Sequence, residues 1–70
     1  MAEIPLAPLK RIIKSTGATR VSDGAVEYLA EFLEQQTELL SEHAMNMAKH
    51  TGRKTIHDSD FELAIKTLYE

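Results

Sequence analysis

Residues 22–52 read SDGAVEYLAEFLEQQTELLSEHAMNMAKHTG and contain no proline. Ser22 and Asp23 are favourable residues at a helix N-terminus, and Gly52 is typical of the position just after a helix end. Between them, apolar side chains recur at intervals of three and four, as they do along one face of an α-helix. These side chains are Leu29, Phe32, Leu33, Leu39, Leu40, Ala44, Met47 and Ala48. The stretch therefore predicts one long helix that ends near residue 51.

A shorter helix is predicted before the long one. Pro5 and Pro8 suit a helix start, because the N–H groups that they lack would have no partner there. An apolar face follows, formed by Leu6, Leu9, Ile12 and Ile13. The segment STGATR, residues 15–20, is expected to end this helix, since Gly17 can adopt a positive φ.

A third helix is predicted after the long one. The segment RKTI, residues 53–56, is expected to form an extended, strand-like connection, because threonine and isoleucine favour that conformation. His57 or Asp58 then caps the helix. Its apolar residues follow the spacing i, i+3, i+4 and i+7; they are Phe61, Ala64, Ile65 and Leu68.

The predicted fold class is all-α: a short helix, a long central helix and a short helix in a single domain over residues 1–70. A helix of roughly 29 residues is about 43 Å long, which exceeds the roughly 30 Å diameter of a small domain. Two short helices cannot cover it. The simplest cover is a second identical chain, so an obligate dimer is expected.

Composition argues against several functional classes. The chain has no cysteine, so a disulfide framework and thiolate metal ligands are excluded. It has no long apolar run and no signal-peptide pattern, so an intracellular protein without a membrane segment is expected. No catalytic nucleophile with a base and no phosphate-binding glycine loop is found, so the chain is not expected to be an enzyme or to take a small-molecule substrate.

The histidines raise the question of a metal site. His43, His50 and His57 are seven residues apart, but Gly52 interrupts the helix between the last two. We therefore expect neither a metal nor another cofactor, and we interpret His43 as an ordinary side chain that is either at an interface or half-buried.

The charges are separated along the chain. Eight Lys and Arg residues stand against eleven Asp and Glu residues, for a net charge of −3. Residues 21–48 contain six acidic residues and no basic one, and the spacing of these acids is typical of a solvated helix face. All the basic residues lie in two groups near the breaks between helices: Lys10, Arg11, Lys14, Arg20, Lys49, Arg53, Lys54 and Lys66. The net charge argues mildly against a nucleic-acid partner, since binders of nucleic acid are usually basic, although the basic residues gather around the breaks.

Two stretches resemble an archaeal histone: PLAPLKRIIKSTGATRVSDGAVEYLAEFL, residues 5–33, and AKHTGRKTIHDSDFELAIKTL, residues 48–68. The resemblance implies the histone fold and its obligate head-to-tail handshake dimer. It also implies a cytoplasmic, chromosome-associated protein that binds, wraps and compacts double-stranded DNA without sequence specificity. The expected protein partners are a second copy or another histone, with tetramers or larger assemblies on DNA.

The resemblance also implies roles for individual residues. Six are expected to contact DNA: Arg11, Lys14, Arg20, Lys54, Thr55 and Lys10. Arg20 matches the arginine that the family inserts into the minor groove, and Lys10 is the most peripheral of the six. Arg53 is expected to form a structural salt bridge with Asp60. Met47, His50 and Asp60 match positions at the interface between dimers.

Some residues depart from the family pattern. Val26, Glu31 and Glu38 stand where family members carry basic residues on the long helix. Glu31 and Glu62 are both acidic, although family members pair opposite charges at these positions between stacked turns of a filament. One hypothesis is a variant that limits filament extension. The alternative is a histone-fold interaction or regulatory module with little or no DNA wrapping, which the acidic balance favours and the basic residues at the breaks oppose.

Overall fold

The computed structural model describes residues 3–70, which form three α-helices and no strand. The helices are α1 (Leu6–Lys14), α2 (Asp23–His50) and α3 (Asp58–Tyr69). Helix α2 has 28 residues, which corresponds to a length of about 42 Å. The all-α class and the order short, long, short are confirmed.

Hydroxyl groups and a glycine end α1. The side chains of Ser15 and Thr16 donate to the carbonyl oxygens of Ile12 and Ile13, at 2.5 and 2.7 Å, and so satisfy acceptors that the helix end leaves free. Gly17 follows with φ +108°, a conformation that glycine adopts without strain.

Both ends of α2 carry the capping residues that its sequence predicts. Ser22 Oγ accepts the N–H of Ala25 at 3.1 Å, as an N-cap hydroxyl does. At the other end Gly52 has φ +75°, and the N–H of Arg53 donates to the carbonyl oxygen of Ala48 at 2.9 Å. This closure is typical of a helix that ends at a glycine.

Two glycine substitutions are expected to shift stability in opposite directions. A Cβ added at Gly52 meets no atom within 4 Å, so Gly52→Ala costs only the left-handed backbone conformation, about 1–2 kcal/mol. Gly24 lies inside α2 and also has open space around it, so Gly24→Ala should stabilise the protein by up to about 1 kcal/mol. Urea unfolding of both variants measures this difference. A shift of both midpoints in the same direction would contradict it.

The strand-like connection predicted for residues 53–56 is wrong for the single chain, which bends at residues 54 and 55 and forms no strand there. The Arg53 side chain explains the bend. Its Nη1 donates to the carbonyl oxygen of Thr55 at 2.8 Å, so the segment curls around the guanidinium group instead of extending.

The residues group into two compact units. The first ends at Gln35 and holds α1 with the beginning of α2, and the second, Gln36–Glu70, holds the rest of α2 with α3. A single domain over residues 1–70 stays a prediction. Among the described residues the fully buried apolar side chains are small: Val26 and Ala30 in the first unit, and Ala44, Ala48 and Ala64 in the second.

Val26 changes the interpretation of one departure from the family pattern. Its side chain is only 2% exposed, and it borders α1 residues in the first unit. In this chain, position 26 therefore belongs to the core, and a basic side chain there would have to leave it.

Large apolar side chains remain exposed on α2. Tyr28, Phe32 and Leu39 are 78%, 50% and 41% exposed. At 100° per residue these three lie within about 40° of one another around the helix axis. Further exposed apolar side chains lie on the short helices: Ile12, Leu63, Ile65 and Tyr69. One side of α2 thus carries large apolar side chains that have no cover within the described chain.

Long-range polar contacts tie both ends of the described chain to α2. In the first unit, Glu34 Oε1 accepts the N–H of Ile4 at 2.9 Å and also the N–H of Glu3. In the second unit, the Tyr69 hydroxyl bonds to Gln36 Oε1. Glu34 therefore does more than form part of a solvated acidic face.

No helix within residues 3–70 combines the length and apolarity needed to cross a membrane.

Candidate nucleic-acid interface

The first group of candidate DNA contacts lies in the first unit. Arg11 and Lys14 are exposed on α1, three residues apart and so on one side of the helix. Arg20 is exposed in the connection between α1 and α2. None of these three forms an ion pair with the described residues. Their charges are therefore available to an external anion.

Lys10 is placed differently from the other candidates. Its Nζ lies 3.7 Å from Asp23 Oδ1 at the start of α2, and its side chain is 39% exposed. Both residues line a cleft of about 270 Å³ between α1 and α2, together with Leu6, Val26 and Glu27 among others. The sixth candidate thus already has an anionic partner within the chain.

The second group lies in the connection between α2 and α3, in the second unit. Lys54 and Thr55 are both exposed there, and Lys54 forms no ion pair within residues 3–70. Arg53 Nη1 bonds to the backbone carbonyl oxygen of Thr55 and not to its hydroxyl group. A cation and a hydroxyl donor therefore stand side by side on this loop.

Arg53 and Asp60 form a two-pronged ion pair behind this loop. Arg53 Nη1 is 2.9 Å from Asp60 Oδ2, and Nη2 is 3.0 Å from Oδ1. Asp60 Oδ2 also accepts the N–H of His57, the residue before α3, at 2.8 Å. Asp60 is 6% exposed, and a buried carboxylate is tolerated when it is paired and hydrogen-bonded in this way.

The ion pair shifts the pKa values of both partners. The hydrogen bond from Arg53, followed by that from the His57 backbone, lowers the pKa of Asp60 from 3.8 to about 2 against the opposing effect of burial. The same hydrogen bond raises the pKa of Arg53. Both groups therefore stay charged over a wide pH range, and the pair fixes the loop to the start of α3.

The three residues expected between dimers lie in the second unit. Met47 is half-buried on α2, and His50 is exposed at the last residue of that helix. Asp60 Oδ2 already accepts two hydrogen bonds, whereas Oδ1 accepts one. Oδ1 is therefore the atom with capacity left for a histidine from another copy. The predicted contact between dimers needs a second dimer and stays a prediction.

The described residues include no group of three or more His, Cys, Asp or Glu side chains placed to hold a metal ion. His43 is half-buried, while His50 and His57 are exposed on either side of the turn at Gly52.

Sequence patterns miss the contacts of two acidic side chains with residues in and before α1. They identify Asp23 only as a helix cap, yet it pairs with Lys10. They identify Glu34 only as part of an acidic stripe, yet it holds the segment before α1. Neither contact has a periodic signal, because each joins residues that are distant along the chain and become neighbours only when α1 packs on α2.

Comparisons with known proteins agree with this architecture. Residues 2–65 match the family described as histone-like transcription factor (CBF/NF-Y) and archaeal histone. The chain is 46% identical over 66 residues to one of the subunits of archaeal histone HAN1 from Thermococcus zilligii, covering 94% of this chain and 98% of that protein. It is 42% identical over 66 residues to probable archaeal histone 3 of Methanocaldococcus jannaschii, with the same coverage. The three helices, their lengths and these matches place the chain in the archaeal histone family, with the histone fold.

Proposed function

We propose that this protein wraps and compacts double-stranded DNA without sequence specificity, as an obligate dimer on the chromosome. Its family consists of DNA-binding chromatin proteins rather than enzymes, and that general role extends to this chain. The observation that carries the proposal is the separation of charge. Four of the candidate DNA contacts are cations that are exposed and form no ion pair within the described chain, although the net charge is −3: Arg11, Lys14, Arg20 and Lys54.

Local charge decides phosphate binding. The field that a DNA phosphate meets is set by charges within about 8–10 Å, because salt screens those further away. Glu31, Glu38 and Glu42 lie along one side of α2 at 100° per residue, whereas the unpaired candidate cations lie on α1 and in the two connections between helices. A local group of basic side chains can thus bind DNA although the protein as a whole is acidic.

Dimerisation follows from the exposed apolar stripe of α2. Tyr28, Phe32 and Leu39 together form an exposed apolar patch, and burial of such a patch is the main driving force of association. A second copy crossing α2 head-to-tail covers it. The same arrangement brings the α1–α2 connection of one chain, with Arg20, beside the α2–α3 connection of the other, with Lys54 and Thr55.

Each candidate then has a role in the proposed complex. Arg20 enters the minor groove, where the narrow groove focuses negative potential. Arg11, Lys14, Lys54 and Thr55 contact phosphates. Contacts of this kind position the protein without reading base sequence.

Two acidic positions support the narrower proposal of a histone that limits filament length. Glu31 is exposed, and Glu62 lies 4.0 Å from Lys66 on its own helix. Two carboxylates cannot form the opposite-charge pair that stacked turns require.

Contacts between dimers through Met47, His50 and Asp60 would still permit tetramers, and Arg53 would hold the loop in place. Another histone chain can replace the second copy wherever its apolar stripe is similar.

The test is a gel-shift titration on two duplexes of unrelated sequence at several salt concentrations. DNA packaging predicts similar affinity for both, with log K falling by about 0.9 per neutralised phosphate for each unit of log salt. An interaction module without wrapping predicts no binding even at low salt. That outcome would overturn the proposal.

Arg20→Ala is expected to weaken binding roughly tenfold or more, equally on both duplexes, since a hydrogen bond to a charged group contributes about 1.5–3 kcal/mol. Lys10→Ala serves as the matched control on the same unit. It should change affinity little, because Lys10 is already paired with Asp23. Equal losses from the two substitutions would show that the α1–α2 connection is assigned wrongly.

A further inference from the structure

The ion pair between Lys10 and Asp23 sets Lys10 apart from its neighbours on α1. Arg11 and Lys14 are exposed, whereas Lys10 is half-buried and reaches across to the first residue of α2. Asp23 itself is open to solvent, with its side chain 93% exposed. The pair therefore lies at the surface, where DNA phosphate can reach it.

A second carboxylate strengthens the local negative field. Glu27 lies one helical turn after Asp23 and lines the same cleft as Lys10, beside the apolar side chains of Leu6 and Val26. Lysine commonly lays its aliphatic stem along such an apolar surface and directs its ammonium group to the rim. Glu27 thus adds a second carboxylate to the cleft that Lys10 and Asp23 line.

A carboxylate and a phosphate compete for the same ammonium group. An exposed ion pair is weak, so phosphate can displace Asp23 from Lys10. The displaced carboxylate remains within a Debye length of about 8–10 Å and repels the phosphate. We propose that Asp23 is an intramolecular competitor of DNA for Lys10, which lowers the affinity of this chain for DNA.

This inference rests on the proposed function and adds a residue that tunes it. Asp23 also has a structural reason to be present: a carboxylate in the first turn of a helix interacts favourably with the helix dipole. The same side chain would therefore stabilise α2 and weaken DNA binding. Asp23 lies three residues after Arg20 along the chain, so the competition takes place next to the proposed minor-groove arginine.

The experiment measures DNA binding of the full chain by fluorescence anisotropy on one duplex over a salt series. Asp23→Asn is expected to tighten binding about two- to fivefold at low salt, the range for loss of an exposed ion pair. The slope of log K against log salt should steepen by about one for each additional phosphate that the protein neutralises. Asp58→Asn is the matched control. Asp58 is the first residue of α3, as Asp23 is of α2, and it has no cationic partner within the described residues.

The Lys10→Ala background identifies the cause. If Asp23 acts through Lys10, Asp23→Asn gives a clearly smaller gain when Lys10 is already alanine, because only the repulsion between carboxylate and phosphate is then removed. An equal gain in that background, or an equal gain from Asp58→Asn, would mean a general charge effect and would overturn the proposal, as would no gain at all. Asp23→Ser is the second variant if the asparagine variant unfolds. Wild-type protein that fails to bind DNA overturns the proposed function itself, whereas normal wild-type binding with an unchanged Asp23→Asn variant overturns only the competition.

Discussion

Protein that carries aspartate in place of Phe32 is expected to be unfolded at concentrations where the unchanged protein is a folded dimer. Phe32 is 50% exposed in the single chain, so its replacement would cost a stable monomer little. In the proposed dimer the ring would be buried between chains, and the loss of a buried phenylalanine costs about 3–5 kcal/mol. A buried, unpaired carboxylate adds to that cost.

The small core of each unit makes the effect large. The fully buried apolar side chains of the described residues are one valine and four alanines. Short chains with so little buried apolar surface rarely fold alone. Most of the stability is therefore expected to come from the surface that the second chain of the proposed dimer covers, and one charge at that surface is expected to remove the folded state.

Circular dichroism and sedimentation measured over a range of protein concentrations provide the test. The wild-type unfolding midpoint should rise with concentration, because association stabilises the folded state by mass action. Glu38→Gln is the control: it also changes the charge of α2 by one unit, at an exposed position that lies about 80–120° around the helix axis from Tyr28, Phe32 and Leu39. A folded Phe32→Asp variant, or a wild-type midpoint independent of concentration, would show that the chain does not need a partner.

The periodicity of apolar residues predicts the extent of α2 well, but it does not distinguish the face that is buried within the chain from the face that is exposed. The spacing of threes and fours locates the helix to within one residue at its C-terminus. It groups Phe32 and Leu39 with Ala44 and Ala48, although only the alanines are buried within the chain. At 100° per residue, each of the two large side chains lies about 120° or more from each alanine around the axis. A long helix that packs on its own chain and on a partner has two apolar stripes, and a single hydrophobic pattern does not separate them.

Contacts between distant residues are less accessible to sequence reasoning than the helices. The pairing of Arg53 with Asp60 is expected only from resemblance to the family, since a seven-residue spacing across a turn has no fixed geometry. Lys10 is expected to contact DNA because it is basic and close to Arg11. Its pairing with Asp23 depends on how α1 packs on α2, and that packing is a tertiary property.

Asp60→Asn is expected to lower the unfolding temperature at neutral pH by several degrees and to loosen the connection between α2 and α3. The new amide would remain able to accept a hydrogen bond through its oxygen, but its NH₂ group would face either an Arg53 donor or the His57 N–H. Both of those donors bond to the carboxylate in the unchanged protein. The guanidinium group would also lose its counter-charge in a half-buried position.

The pH dependence of this effect has a definite sign. In the folded state the pKa of Asp60 is lowered from 3.8 to about 2, so between these values the unfolded chain binds more protons than the folded one. The stability that the carboxylate contributes is therefore fully present above about pH 4, and it is lost as the pH falls through the folded-state pKa. The difference in stability between wild type and Asp60→Asn should shrink over this interval. Asp58→Asn, two residues away and exposed, is the control for the loss of one carboxylate at the start of α3.

Urea unfolding from pH 7 to pH 2 measures the convergence, and amide hydrogen exchange at His57 and Thr55 measures the order of the loop. Exchange at the His57 N–H should accelerate in Asp60→Asn, because that N–H donates to the carboxylate. The Asp58→Asn variant should leave it unchanged. Parallel stability curves for wild type and Asp60→Asn down to pH 2 would mean that the ion pair forms without contributing to folding. Lys54 and Thr55 lie on the loop that the Arg53–Asp60 ion pair fixes to α3, so a loosened loop should also weaken DNA binding. If Asp60→Asn binds DNA with wild-type affinity, the ion pair is not needed for the proposed DNA interface.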